Sequence, residues 1–280
     1  MPTVAEKRAT YRRLHASGCF VIPNPWDIGT ARYLQGLGFK ALASTSAGFA
    51  FTLGLPDGEV SRDTMLAHFR ELAAATDVPI NADFEGGYAD APEDVAESVR
   101  LCIATGVAGL SIEDSTMDAK IPLYDFDLAL ARVRAARVAI DKAGGDVFFT
   151  ARSEGFIRGR PDLAETIRRL KAFAAAGADC LYAPGIKTRD EIATVCTAVA
   201  PKPVNFLMSA ATDLTVNDLA ALGVRRISLG GSLARATTWT ALRDVAREML
   251  EGRFTRLAGS MTNAELNAFF RDDMNKRPTS

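Results

Sequence analysis

The chain has 280 residues, 48% of them hydrophobic and 24% charged, with 33 basic against 34 acidic side chains. That composition is ordinary for a globular protein, and the chain is long enough to bury a full core without staples. The even mixture of signs leaves no basic stripe, so a nucleic-acid partner is not expected. No apolar run reaches the length of a membrane span, and "MPTVAEKRATYRRLHASG" at the N-terminus lacks the apolar stretch of a signal peptide. The four cysteines, Cys19, Cys102, Cys180 and Cys196, contain no C-x-x-C pair. They read as small buried hydrophobes in a reduced, cytoplasmic protein.

In chain order, residues 1–17 form an extra helix expected over one end of the molecule. Eight β-rich runs follow: "CFVIPN" from Cys19, "ALASTS" from Ala41, "VPINADF" from Val78, "GLSIED" from Gly109, "VFFTARSE" from Val147, "CLYAPG" from Cys180, "PVNFLM" from Pro203 and "RISLGG" from Arg226. Each precedes a helical segment, the pattern of parallel strands with crossover helices. Thr188-Arg-Asp-Glu191 spells a capping box. Pro92 suits a helix start. Gly38, Gly106, Gly177 and Gly223 each fall where a helix hands over to a strand and a left-handed residue is needed. Eight such units without a linker predict one (β/α)8 barrel domain over residues 1–280, with 233–280 as a helical tail. A dinucleotide-binding open sheet is disfavoured, because the first strand runs into "NPWDIG" with no glycine-rich loop.

Barrel chemistry sits at the C-terminal ends of the strands. Those positions offer Asn81, Asp83 and Glu85 on strand three, Glu113 on strand four and Arg152 on strand five. A regular strand would put Asn81, Asp83 and Glu85 on one face. Oxygen donors of this kind suit Mg²⁺ or Mn²⁺. Arg152 is placed to clamp an anionic substrate. Ser44, Thr45, Ser46 and Gly48 form a small-residue turn suited to binding an oxyanion through the backbone, or simply a turn. Trp26 reads equally well as core packing or as a ligand wall, and strand seven adds Asn205 and Ser209. Gly230-Gly231 is either a phosphate site or a tight helix entry. Asp27, Asp90 and Asp114 read as helix caps or partners of basic side chains. No histidine or cysteine falls at a strand end, which argues against His-based acid–base catalysis and thiolate chemistry. Lys187 reads as a surface lysine rather than a Schiff-base former.

The segments "NPWD", "STSAGFAFTLGLPD", "NADFEGGYAD", "GLSIEDS", "FFTARSEGF" and "VNFLM", in this order, resemble the isocitrate lyase and phosphoenolpyruvate mutase superfamily over nearly the whole chain. The resemblance implies a Mg²⁺-dependent barrel acting on a 2-oxo acid. It also implies a helix exchanged between paired subunits, in a homodimer or homotetramer. By position it makes Ser44, Thr45 and Ser46 the turn holding the substrate carboxylate, Asp57 an acid near the reacting centre, and Asp83 a metal-shell aspartate. Asn81 stands where many relatives carry another aspartate, and Glu85 is placed to compensate. Glu113 corresponds to the glutamate that binds metal-bound water, Arg152 to the arginine on substrate oxygens, and Asn205 to a polar group across the pocket. The loop "STMDAKIPLYD" departs from the lyases in having neither cysteine nor histidine. Only Lys120 remains there as a candidate catalytic group. The expectation is a lyase cleaving a C–C bond in a small 2-oxo acid through a metal-stabilised enolate, such as decarboxylation of an oxaloacetate-like acid. Phosphonopyruvate-type P–C chemistry and a non-catalytic 2-oxo acid binder are the alternatives.

Overall fold

A computed structural model describes residues 2–116 and 118–277. The strands are short: β1 (Phe20–Ile22), β2 (Leu42–Ala43), β3 (Ile80–Asp83), β4 (Gly109–Glu113), β5 (Phe148–Arg152), β6 (Cys180–Tyr182), β7 (Val204–Leu207) and β8 (Arg226–Ser228). All eight run parallel in the order β1-β8-β7-β6-β5-β4-β3-β2. The ladder lacks only a β1–β2 pairing, and there the Ala43 N–H donates to the Pro23 carbonyl at 3.0 Å. The sheet therefore closes into the expected barrel.

Around it, α1 (Val4–Ala16) precedes β1, and α2 (Ile28–Gly36) follows it. Helices α3 (Ser46–Thr52) and α4 (Arg62–Ala75) follow β2, α5 (Pro92–Ile103) follows β3, and α6 (Phe126–Lys142) follows β4. Helices α7 (Leu163–Ala175), α8 (Arg189–Val199) and α9 (Val216–Ala221) follow β5, β6 and β7. Their local signals act as read. Thr188 and Glu191 complete the capping box of α8, and Pro92 opens α5. Gly38, Gly106, Gly177 and Gly223 all have positive φ. Apolar faces of the helices meet the outer faces of the strands in a core that includes Leu42, Phe69, Leu110, Phe149 and Phe173.

The extra helix α1 plugs the N-terminal end of the barrel. Tyr11 is fully buried there, and its hydroxyl accepts from Arg226 Nη1 at 2.8 Å. A Cβ on Gly109 would lie 2.5 Å from the Tyr11 ring and 3.0 Å from the Phe148 carbonyl, so β4 must begin with glycine for the plug to seat. Lys7 donates from Nζ to the carbonyls of Ala73 and Thr76, fastening α1 to the end of α4.

The tail begins with α10 (Ser232–Ala234), passes through a π-helical turn at Arg235–Thr240 and continues as α11 (Ala241–Leu250). The last helix, α12 (Asn263–Asn275), packs on α2 of its own chain through Phe269 against Tyr33, with ring centroids 4.7 Å apart. Leu242, Met249, Leu250 and Phe254 stay exposed.

Candidate active site

Two cavities open at the C-terminal end of the barrel. The larger, about 430 Å³, runs down into the barrel interior past Ser44, Asn81, Asn205 and Arg226. The smaller, about 220 Å³, lies over Glu85, Glu113, Glu154 and Arg158. Ser46, Asp57, Arg152 and Ile157 line both, so the cavities meet there.

Arg152 ends β5 between the two. Its Nη1 lies 2.6 Å from Asp83, its Nη2 3.1 Å from Glu113 and its Nε 2.8 Å from Glu154. The guanidinium also stands 4.9 Å from the centroid of the Tyr182 ring. Burial opposes its charge, but the charges of Glu154, Glu113 and Asp83 outweigh burial and raise its pKa well above the usual arginine value. A guanidinium has five N–H groups. Its three carboxylate contacts leave N–H groups on the Nη atoms for another oxygen.

Around this arginine the carboxyls crowd. Glu85 is pushed up to about 8, first by burial and then by the charges of Asp83, Glu113 and Asp57. Asp57 comes from an exposed loop, but its carboxyl turns into the mouth; burial raises its pKa, and a Ser46 hydrogen bond partly offsets the rise. Glu154 is fully buried and raised by burial, and its Oε2 has no hydrogen-bond partner. Glu113 accepts from the Ser115 hydroxyl at 2.5 Å and faces Arg158 Nη2 at 3.4 Å. Five carboxyls thus face two guanidinium groups, those of Arg152 and Arg158.

The residues read from the sequence separate into groups. Asp83, Glu113, Arg152 and Asp57 come together as expected. Glu85 joins them, but not along a regular strand: β3 ends at Asp83, and Glu85 takes a left-handed φ of +47°. The reason is Phe84, which is buried in the core beside Phe69 and Tyr88 and turns the chain. Asn81 lies deeper, on the larger cavity only, with its Oδ1 buried and unpartnered. Ser44, Thr45 and Ser46 line the larger cavity, although two of their hydroxyls serve the backbone. Ser44 Oγ accepts from the Asp83 N–H, and Thr45 caps α3 by accepting from the Gly48 N–H. The Ser46 N–H donates to Asp83 Oδ2 at 3.1 Å. Asn205 and Ser209 line the same cavity; Asn205 is held by Arg226 and Ser228. Trp26 is half-buried beside Gly48 and is not among the residues lining either cavity. Lys120 is exposed on its loop, outside both.

Asp27 caps α2, and Asp114 pairs with Arg169 while accepting from the Glu154 N–H. Asp90 accepts from the Tyr124 hydroxyl. Leu229 and Gly230 direct their N–H groups at Asn24 Oδ1, which fits a tight helix entry. Asn24 and Glu154 stand at the ends of strands one and five, positions where the sequence points to chemistry, whereas Arg158 and Arg226 escaped the sequence reading of the site. Arg226 begins a strand, the end where chemistry is not sought.

The donor set around the smaller cavity contains carboxylates and no imidazole or thiolate, which suits a hard divalent cation. The excess of carboxyls, with Glu85 held protonated to about 8, is what a cation there would relieve. Among the described residues no three acidic, histidine or cysteine side chains converge closely enough to ligate an ion directly. The fit is therefore to a cation that keeps much of its water, as Mg²⁺ does.

Comparison with known proteins places the chain in a family. The family model for phosphoenolpyruvate phosphomutase matches residues 11–250. A crystal structure from Burkholderia cenocepacia J2315 superposes with a TM-score of 0.92 at 46% identity, covering 95% of this chain and 96% of that one. The oxaloacetate decarboxylase of Paraburkholderia xenovorans is 31% identical over 79% of this chain and 74% of its own length. Oxaloacetate acetylhydrolase in complex with oxalate matches with a TM-score of 0.84 at 27% identity, over 97% of this chain and 96% of that one. On the fold and the matched length together, the chain belongs to the phosphoenolpyruvate phosphomutase family, within the phosphoenolpyruvate mutase/isocitrate lyase superfamily.

Proposed function

We propose that the protein is a divalent-cation-dependent lyase that cleaves a carbon–carbon bond in a small 2-oxo carboxylic acid, with decarboxylation of an oxaloacetate-like acid as the leading reaction. The observation that carries the reading is the position of Arg152, at the junction of a carboxylate-lined cavity and a larger cavity open to substrate. Asp83, Glu113 and Glu85 would hold a Mg²⁺ or Mn²⁺ ion, largely through water. When bound, such an ion supplies Lewis-acid polarisation of the 2-oxo group. The remaining Arg152 N–H groups orient substrate oxygens and stabilise negative charge as it develops on them. Ser46, at the start of α3, and Asp57, at the mouth, line the same point. Cleavage of this kind needs no thiol acid, consistent with a loop after β4 that lacks cysteine. The oxaloacetate decarboxylase and oxaloacetate acetylhydrolase relatives support the substrate class. Four cysteines without a disulfide suit a reduced, cytoplasmic setting, and no helix among the described residues is long and apolar enough to cross a membrane.

The test is turnover of a panel of 2-oxo acids and 3-phosphonopyruvate, read as substrate loss with release of CO₂ from the oxo acids or of inorganic phosphate from the phosphonate, with Mg²⁺, with Mn²⁺ and after exhaustive EDTA treatment. We expect an oxo acid to turn over, activity to vanish with chelation and either ion to restore it. Turnover of the phosphonate alone would establish P–C chemistry instead. Binding without turnover of any member would leave a 2-oxo acid binding protein.

A further inference from the structure

Below Arg152 the larger cavity ends on a second buried guanidinium, that of Arg226, which is 3% exposed. Its partners are all neutral. Nε donates to Asn205 Oδ1 at 2.7 Å, Nη1 to the Tyr11 hydroxyl at 2.8 Å, and Nη2 to Thr150 Oγ1 at 3.2 Å. Nη1 also lies 3.4 Å from His15 Nε2. That imidazole stays neutral and adds no second positive charge, because burial and then Arg226 itself hold its pKa down to about 3, and in neither protonation state could it balance a guanidinium. Among the described residues no carboxylate pairs with Arg226, whereas Arg152 meets three and the buried Arg169 meets Asp114 and Glu165. Buried charges are ordinarily paired, since an unpaired one carries a desolvation cost of several kcal/mol. Of the five N–H groups of a guanidinium, these contacts leave one on Nη2. Asn81 Oδ1, buried on the same cavity without a partner, shows that the polar floor is not satisfied by the protein alone.

We propose that Arg226 determines specificity by receiving a second anionic group of the substrate, a carboxylate carried on an arm beyond the 2-oxo acid head held at Arg152. This rests on the 2-oxo acid reading above. Thr150, which Arg226 touches, lies two residues before Arg152 on β5 and on the same face. The two guanidinium groups therefore reach the cavity at successive inward-facing positions of β5, whose backbone positions lie about 7 Å apart, a spacing that an arm of a few carbons spans. The 430 Å³ cavity has room for such an arm, being in the range that encloses ligands much larger than a four-carbon acid.

The chemistry also assigns which carboxylate Arg226 holds. Loss of CO₂ requires the leaving carboxylate to give up its charge, and a guanidinium gripping that group would oppose the loss. The Arg226-bound carboxylate is therefore the one retained. The bond from the carbon beside the oxo carbon to the departing carboxylate breaks, its electron pair stays on that carbon, CO₂ leaves, and the carbon gains one proton from water. No oxidant or reductant is needed. The product is a 2-oxo diacid.

Calorimetric titration of the full-length protein with saturating Mg²⁺ tests this. The probes are oxalate, which is short enough to occupy only the Arg152 end, the diacids 2-oxoglutarate and 2-oxoadipate, and the length-matched monoacids 2-oxopentanoate and 2-oxohexanoate. The wild type should bind the diacids at least about tenfold more tightly than the monoacids, the order of one charge-assisted contact. Arg226→Met should abolish that preference while changing oxalate binding much less, and Arg226→Lys should restore part of it. Equal binding of diacids and monoacids by the wild type overturns the proposal, even where Arg226→Met fails to fold. Equal weakening of all five probes in a folded Arg226→Met also overturns it, leaving Arg226 as a tie between α1 and the barrel. Oxalate binding without a diacid preference removes the role of Arg226 alone. A wild type that binds neither oxalate nor any 2-oxo acid removes the lyase reading and this one together.

Discussion

Arg152 does two jobs that a single substitution can separate. Its charge balances Asp83, Glu113 and Glu154, and its planar fork is proposed to grip the substrate. Lysine keeps the charge and loses the fork. Arg152→Lys should remain folded by circular dichroism yet lose roughly 2–4 kcal/mol of transition-state stabilisation, about two to three decades in rate. Near-wild-type turnover would show that charge balance is its whole contribution. A second residue-scale prediction concerns His68, which is buried, stacks on Phe49 at 3.8 Å and has an unpartnered Nε2. Burial, partly opposed by Asp27, lowers its pKa to about 4. Unfolded histidine takes up its proton near pH 6.5, so the stabilisation present above that pH is lost as pH falls towards 4. The loss should reach up to about 3 kcal/mol. His68→Phe keeps the stacked ring and removes the titration. Urea melts at pH 7 and pH 4 should show a smaller acid penalty in the variant, and identical penalties would contradict the assignment. Residue-level legibility was uneven for a physical reason. Asp83, Glu113 and Arg152 were readable because strand ends in a barrel all face one way. Asn81 was read as a metal-site residue, but a position two residues earlier on the strand lies one layer deeper.

At the scale of elements, sequence patterns located all eight strands and their following helices, because each join carries its own glycine or capping residue. They misplaced the end of β3. The run "VPINADF" extends one residue past the observed β3, and Glu85 would share a face with Asn81 and Asp83 only on a regular strand, but Phe84 is buried and the chain turns at Glu85. The tight fit between α1 and β4 is testable in the same spirit. Gly109→Ala would push a methyl group into Tyr11 and the Phe148 carbonyl, a backbone contact that cannot swing aside. We expect a loss of about 1–3 kcal/mol, as for other overpacked cores, seen as a lower melting temperature. An unchanged melt would mean that α1 shifts without cost.

For the whole molecule, the tail sets the question. Leu242, Met249, Leu250 and Phe254 remain exposed along and after α11, a larger apolar display than a monomer commonly keeps. We propose that this surface pairs subunits into a homodimer or homotetramer, with the helix exchange expected from the sequence. Light scattering at micromolar concentration should give a mass of two or four chains of 30.0 kDa. Leu242→Glu with Leu250→Glu should shift that mass towards one chain. A monomeric wild type would refute the pairing.

The closure of the barrel has a further consequence. Where β1 and β2 lack a ladder, one side chain spans the gap: Asn24 donates to the Ser44 carbonyl and accepts from the N–H groups of Leu229 and Gly230. The amide thus ties β8, β1 and β2 together, and it lines the larger cavity. With one backbone hydrogen bond and this amide in place of a ladder, the seam is the weakest join of the hoop, so local unfolding should begin there. Because the amide is also a wall of the cavity, any guest that settles there tightens the hoop. Amide exchange at Leu229 and Gly230 should slow when ligand is bound and quicken in Asn24→Ala, making the fastening of the barrel and the filling of its cavity a single equilibrium.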